Sequence, residues 1–219
     1  MESVVCDASS LISLSSSCYL NVLKLFKQKI QFIIPKAVEY ECIIKPRSIK
    51  QFSLNSFKLS HLVKLGIITI TEEDQSFLKD IMDTGNNIYY KQGKPIHLID
   101  KGECGMIAYC IDRKVNYMLI DERTTRALIE APHVLKKHFE KEFNVHITTN
   151  IENLEKFREM TKNINVLRSS ELLILAYKKG YFDDYENPKK MLESSLNYLK
   201  YSGCALSFEE IDQFIKTLK

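Results

Sequence analysis

Short apolar runs alternate along this chain with longer stretches of helical spacing, and that alternation constrains the fold more than any other feature. The runs are Val4 to Cys6, Gln31 to Pro35 (QFIIP), Ile67 to Thr71 (IITIT), Asn116 to Asp121 (NYMLID) and Asn144 to Thr149 (NVHITT). Val4 to Cys6 reads as a short buried strand, and each of the other runs as a strand. Between them, Ser9 to Phe26 carries Leu11, Leu14, Cys18, Val22 and Leu25 at spacings of three and four. Pro35 is suited to open a helix over Lys36 to Ile44, because its missing N–H is not needed there. Further helices are expected over about Ile49 to Lys64, Glu72 to Met82, onward from Lys101, Arg123 to Ala131 and His133 to Lys141. Residues 170–219 read as three helices, the last opened by the capping box Ser207-Phe208-Glu209-Glu210. Strands alternating with helices imply a parallel sheet covered on both faces. Residues 83–95 (DTGNNIYYKQGKP) are rich in Gly and Asn, and are expected to form a flexible loop or a small hairpin beside a site.

With 219 residues, 45% of them hydrophobic, the chain is long enough for one domain with an appendage. A net charge of +3 permits a polyanionic partner without requiring one. The six cysteines form no C-x-x-C pair and the five histidines lack ligand spacing, which argues against zinc and for small buried thiols in a reducing compartment. No apolar run approaches membrane-spanning length, and nothing reads as a secretory leader. A soluble, cytoplasmic protein with no membrane partner is the expectation.

In a parallel sheet the carboxyl ends of the strands share one edge, and ligands bind there. Asp7 follows the first strand and Asp121 ends a later one. Glu41 lies in the helix after QFIIP, and Glu103 in the first turn of the helix that leads into the Asp121 strand. A helix running back along such a sheet starts at the carboxyl edge, so topology gathers all four at one rim. Each residue also has an ordinary structural reading. Asp7 and Asp121 can cap helices, Asp100 and Glu103 fit a capping box, and Glu41 can be a solvated helix residue like Glu39. Together they ask for more, since like charges at close range repel unless a cation neutralises them. Oxygen donors without His or Cys suit Mg²⁺ or Mn²⁺.

These segments resemble those of the PIN-domain family of metal-dependent nucleases, which includes the toxins of many toxin–antitoxin pairs. The similarity runs through VVCDASSLISL, IIPKAVEYEC, IDKGECGMIAYC, LIDERTTRA and, as in one prokaryotic subgroup, LRSSELLILAYKKGYF. The pattern Pro, two residues, Val, two residues, Glu selects Glu41 over Glu39, a choice that helical spacing leaves open. The resemblance implies a three-layer α/β/α sandwich around a parallel sheet, and hydrolysis of single-stranded RNA at an acidic pocket holding Mg²⁺ or Mn²⁺. Carried over by position, Asp7, Glu41, Glu103 and Asp121 are the acidic, metal-binding set and Ser9 a supporting hydroxyl. Asp7 would be the central ligand and Glu41 would orient the attacking water. Glu122 and Ser169 would stand behind the ligands or meet substrate, and Arg123 and Arg126 would contact phosphates. The resemblance extends to about residue 180, so residues 1–180 read as the PIN-like domain and 181–219 as a helical C-terminal extension. It makes a homodimer and a small antitoxin protein candidate partners. Two other classes compete with this reading. One is a catalytically inactive PIN fold that binds RNA or protein. The other, an aspartyl-nucleophile phosphatase, wants an acid two residues after Asp7, where Ser9 stands.

Overall fold

A computed structural model of the chain describes residues 1–72 and 75–218. Its first half runs β1 (Glu2–Cys6), α1 (Ala8–Ser16), α2 (Asn21–Phe26), β2 (Ile30–Pro35), α3 (Lys36–Glu39), α4 (Ser53–Lys64), β3 (Ile68–Thr71) and α5 (Gln75–Gly85). Next come β4 (Tyr89–Lys91), β5 (Lys94–Pro95), α6 (Lys101–Arg113), β6 (Tyr117–Leu119), α7 (Arg123–Glu130) and α8 (Pro132–Phe143). The chain continues with β7 (Ile147–Thr149), α9 (Ile151–Thr161), β8 (Asn165–Leu167), α10 (Ser169–Tyr177), α11 (Pro188–Tyr201) and α12 (Phe208–Thr217).

Five strands form a parallel sheet in the order β3-β2-β1-β6-β8. Helices flank it, giving an α/β/α sandwich with a helical C-terminal extension. Val4, Val5 and Cys6 are buried in succession, as a central strand covered on both faces requires. Because the sheet is parallel, Asp7, Pro35, Asp121 and Arg168 all leave it at one edge. The C-terminal helices join the same core, through Leu192, Leu196 and Leu199 of α11 and Ile211 of α12. Arg168, at the end of β8, ties them on. Its guanidinium donates to Glu171 (2.7 Å), to Glu210 (2.9 Å) and to the Ala205 carbonyl (2.7 Å).

Several expectations change. The helix foreseen over Ser9 to Phe26 is two helices, broken where Cys18 takes a left-handed φ of 64°. The Tyr19 N–H bonds back to the Leu14 carbonyl (2.8 Å), which closes the first helix in the manner of a Schellman turn. The segment expected to be helical over Glu72 to Met82 is helical from Gln75; residues 73–74 lie outside the described residues. Ile147–Thr149 is a strand but belongs to a separate antiparallel sheet, β5-β4-β7. The fifth parallel strand is β8 instead. Of the two forms expected within residues 83–95, the hairpin is the one found: β4 and β5 turn through Gln92 and Gly93, both at positive φ, the type I′ arrangement that matches strand twist. Past α3 the helix widens into a π turn over Tyr40–Ile44, which carries Glu41.

Candidate active site

Asp7 stands where β1 ends, so it is both a cap and an acid. Its Oδ1 accepts the Ser10 N–H (2.7 Å) and its Oδ2 accepts the Ser9 hydroxyl. It is only 4% exposed. Burial raises its pKa from 3.8 to about 7 against those hydrogen bonds, and the nearby Asp121 charge pushes the same way. A carboxyl group poised this close to neutrality is uncommon outside functional sites.

Glu103 lies in the first turn of α6, where its Oε2 accepts the Asp100 N–H (2.8 Å). Burial raises its pKa, and the Asp100 and Glu122 charges add to the rise. Glu41 reaches the same place from the π turn, alongside Gly102 of α6. A Cβ on Gly102 would sit 3.3 Å from Glu41 Oε1, so the bare glycine leaves room for that carboxylate. Glu122 caps α7, accepting the Thr124 and Thr125 N–H groups (2.7 Å each).

Asp7, Ser9, Glu41, Gly102, Glu103 and Glu122 line one cavity of about 270 Å³, floored by Ala8, Ile12, Val38 and Met106. No Lys or Arg is among its described lining residues. Asp121 is not brought into it. Its carboxylate turns toward the C-terminal extension, accepting the Ser169 N–H (2.8 Å), the Ser169 hydroxyl (2.6 Å) and the Cys204 thiol (3.3 Å). It is fully buried, and burial raises its pKa in spite of these donors. Burial, with the Asp121 charge beside it, drives the Cys204 thiol up to about 12, so the thiol keeps its proton and donates it. Ser169 is therefore a partner of Asp121. Arg123 and Arg126 line a neighbouring cavity instead. Glu122 is the cavity acid that the sequence placed behind the ligands. Its position directly after a strand-end acid was the available signal.

An oxygen-only set of partly buried carboxylates with no cationic lining residue fits a hard divalent cation in charge and donor type. Among the described residues, no three His, Cys, Asp or Glu side chains converge as they stand to ligating distance.

A five-stranded parallel sheet with an acid-lined cavity at its carboxyl edge defines the class: an α/β/α sandwich of PIN-like architecture. The family model described as "PIN domain" matches residues 3–134, and the chain belongs to that family. No curated protein and no solved structure matches it. The matched segment contains Asp7, Glu41, Glu103, Asp121 and Glu122; Ser169, Cys204 and the extension lie beyond it.

Proposed function

We propose that this protein is a divalent-metal-dependent endoribonuclease that hydrolyses phosphodiester bonds of single-stranded RNA, and that it serves as the toxin of a toxin–antitoxin pair. The observation that carries the reading is that Asp7, Glu41, Glu103 and Glu122 line one cavity with no Lys or Arg among its described lining residues. In this reading those residues hold Mg²⁺ or Mn²⁺. The ion, when bound, would acidify a water and offset charge on the phosphate. Asp7, fixed by Ser9 and Ser10, is the anchor. Glu41, on its π turn against Gly102, orients the attacking water and takes its proton. Asp121 acts from behind, holding the β6 end in place through Ser169 and Cys204 while its charge keeps Asp7 basic. Arg123 and Arg126, on the first turns of α7, hold phosphates of the strand. Residues 1–180 form the nuclease unit in this reading and 181–219 an extension packed onto it. A homodimer and a small antitoxin in the cytoplasm complete the proposed role.

The test is cleavage of end-labelled single-stranded RNA with and without Mg²⁺ or Mn²⁺, comparing the parent with Asp7→Asn. Metal-dependent cleavage by the parent, lost in a folded variant, is the expected result. Co-expression with the product of an adjacent small reading frame tests the toxin role: rescue of growth is expected.

One observation favours a second reading. Glu103 and Glu122 are both occupied in capping helices, and no ligating trio is closed among the described residues. A non-catalytic RNA- or protein-binding PIN fold would show no cleavage and no heat of Mn²⁺ binding in titration calorimetry.

A further inference from the structure

A second cavity, about 400 Å³, opens between α7 and the C-terminal extension. Its character is opposite to that of the acid cavity. Arg123 and Arg126 line it from α7, and Lys200 lines it from α11. The Arg123 side chain makes no ion pair or hydrogen bond among the described residues. Arg126 reaches Glu130 only at 3.4 Å, and its Nε is buried with no hydrogen-bond partner among the described residues. The Arg126 side chain keeps 23% exposure and lines the cavity, so its guanidinium has donors to spare beyond the long contact to Glu130. Lys200 spends one donor on the Leu206 carbonyl (2.7 Å) and rests 4.5 Å over the Phe208 ring, which leaves the ammonium two further donors. The one acid in the lining, Glu210, is already committed to Arg168 at 2.9 Å. The Ser207 N–H and Arg168 hold its pKa down against the effect of burial, so its charge is spent locally.

From this we infer that the cavity is a seat for a phosphate group, built jointly by α7 and the extension. Three cationic groups around a pocket of this size suit a phosphate oxyanion, whose oxygens accept several charge-assisted hydrogen bonds at once. Arg126 lies four residues beyond Glu122, about 6 Å along the helix axis. A strand whose scissile phosphate lies at the acid cavity would therefore set another phosphate at this seat. That assignment of the phosphate to an RNA strand rests on the proposed nuclease function; the seat itself does not. The new element is Lys200. It places one of the three cationic groups of the seat on a segment beyond the family match, so the extension takes part in substrate binding.

The experiment uses the full chain in EDTA, so that binding is read apart from cleavage. Inorganic pyrophosphate is titrated calorimetrically, with sodium sulfate at equal ionic strength as the control anion. Parent protein is compared with Lys200→Gln, Lys200→Arg and Arg126→Gln, with thermal melts confirming folding. Pyrophosphate is expected to bind the parent more tightly than sulfate does. Lys200→Gln and Arg126→Gln should each weaken it roughly tenfold, in keeping with one lost charge-assisted hydrogen bond, and Lys200→Arg should restore it. Displacement of pyrophosphate by a single-stranded RNA oligonucleotide assigns the phosphate to a strand, and Lys200→Gln should then raise KM for cleavage while leaving kcat. Pyrophosphate binding without displacement by RNA keeps the seat and counts against the nuclease. No pyrophosphate binding by the parent, or equal binding by folded Lys200→Gln and Arg126→Gln, overturns the proposal.

Discussion

Replacing Asp7 by Asn should change how stability depends on pH, and the size of the change follows from the burial of one carboxyl group. In the folded protein Asp7 holds its proton up to about pH 7, against an ordinary value of 3.8. The unfolded chain therefore releases this proton first as pH rises, and deprotonation favours unfolding. The penalty is absent below about pH 4, grows through the interval, and is complete above pH 7. Between pH 5 and pH 8 it amounts to about 3 kcal/mol, from 1.36 kcal/mol for each pKa unit. Asn cannot ionise, yet its amide oxygen can still accept the Ser10 N–H and its NH₂ can donate to the Ser9 hydroxyl, so the helix cap survives. Urea denaturation in EDTA at several pH values, for both proteins, isolates the effect because other groups titrate in both. The variant should gain about 3 kcal/mol on the parent between pH 5 and 8, and saturating Mn²⁺ should shrink the gap by stabilising only the parent. If the two stability curves run parallel within about 0.5 kcal/mol, Asp7 is not the desolvated acid described above.

Gly102→Ala should leave the fold intact while moving Glu41, since the new Cβ would lie 3.3 Å from its Oε1. Reduced RNA cleavage with an unchanged or slightly higher melting temperature is the expected pair of readings. Arg168→Met should cost about 2–3 kcal/mol in urea unfolding. That is below the range for fully buried pairs, because Glu171 and Glu210 retain 30% and 39% side-chain exposure. Ser169→Ala removes the 2.6 Å hydroxyl bond to Asp121. It should cost about 1–2 kcal/mol and raise the Asp121 pKa further, seen as a steeper loss of stability with rising pH. Cys18→Gly should stabilise by about 0.5–1 kcal/mol, because the left-handed backbone at φ 64° suits glycine; a lower melting temperature would show that the Cys18 side chain matters more than its strain.

The frame was legible because it rests on burial and local chemistry. Three consecutive buried residues at Val4–Cys6, a proline opening the helix of Glu41, and the capping boxes at Glu103 and Glu210 are all local signals. The parallel sheet follows from them through the right-handed logic of strand, helix, strand. Where the sequence fell short, the deciding contacts were distant. Ile147–Thr149 looks like any strand, and only pairing with Tyr89–Lys91 assigns it to the second sheet. Asn165–Leu167 is too short and too polar at its start to announce itself as the edge strand. Asp121 follows a strand in the same way as Asp7, so position alone treats them alike. What separates them is Ser169, 48 residues on, and Cys204, 83 residues on, which draw one carboxylate away from the cavity. Glu122, the next residue along, lines the cavity in its place.

That arrangement around Asp121 also makes one backbone amide into a reporter. Ala205 N–H donates to the Asp121 carbonyl (3.2 Å), so this bond is made only while the extension is seated. Deuterium uptake at this position therefore follows the docking of the last helices. Since the Asp121 charge adds to the effect of burial in raising the Asp7 pKa, a transient departure of those helices bears on the proton affinity of the acid cavity.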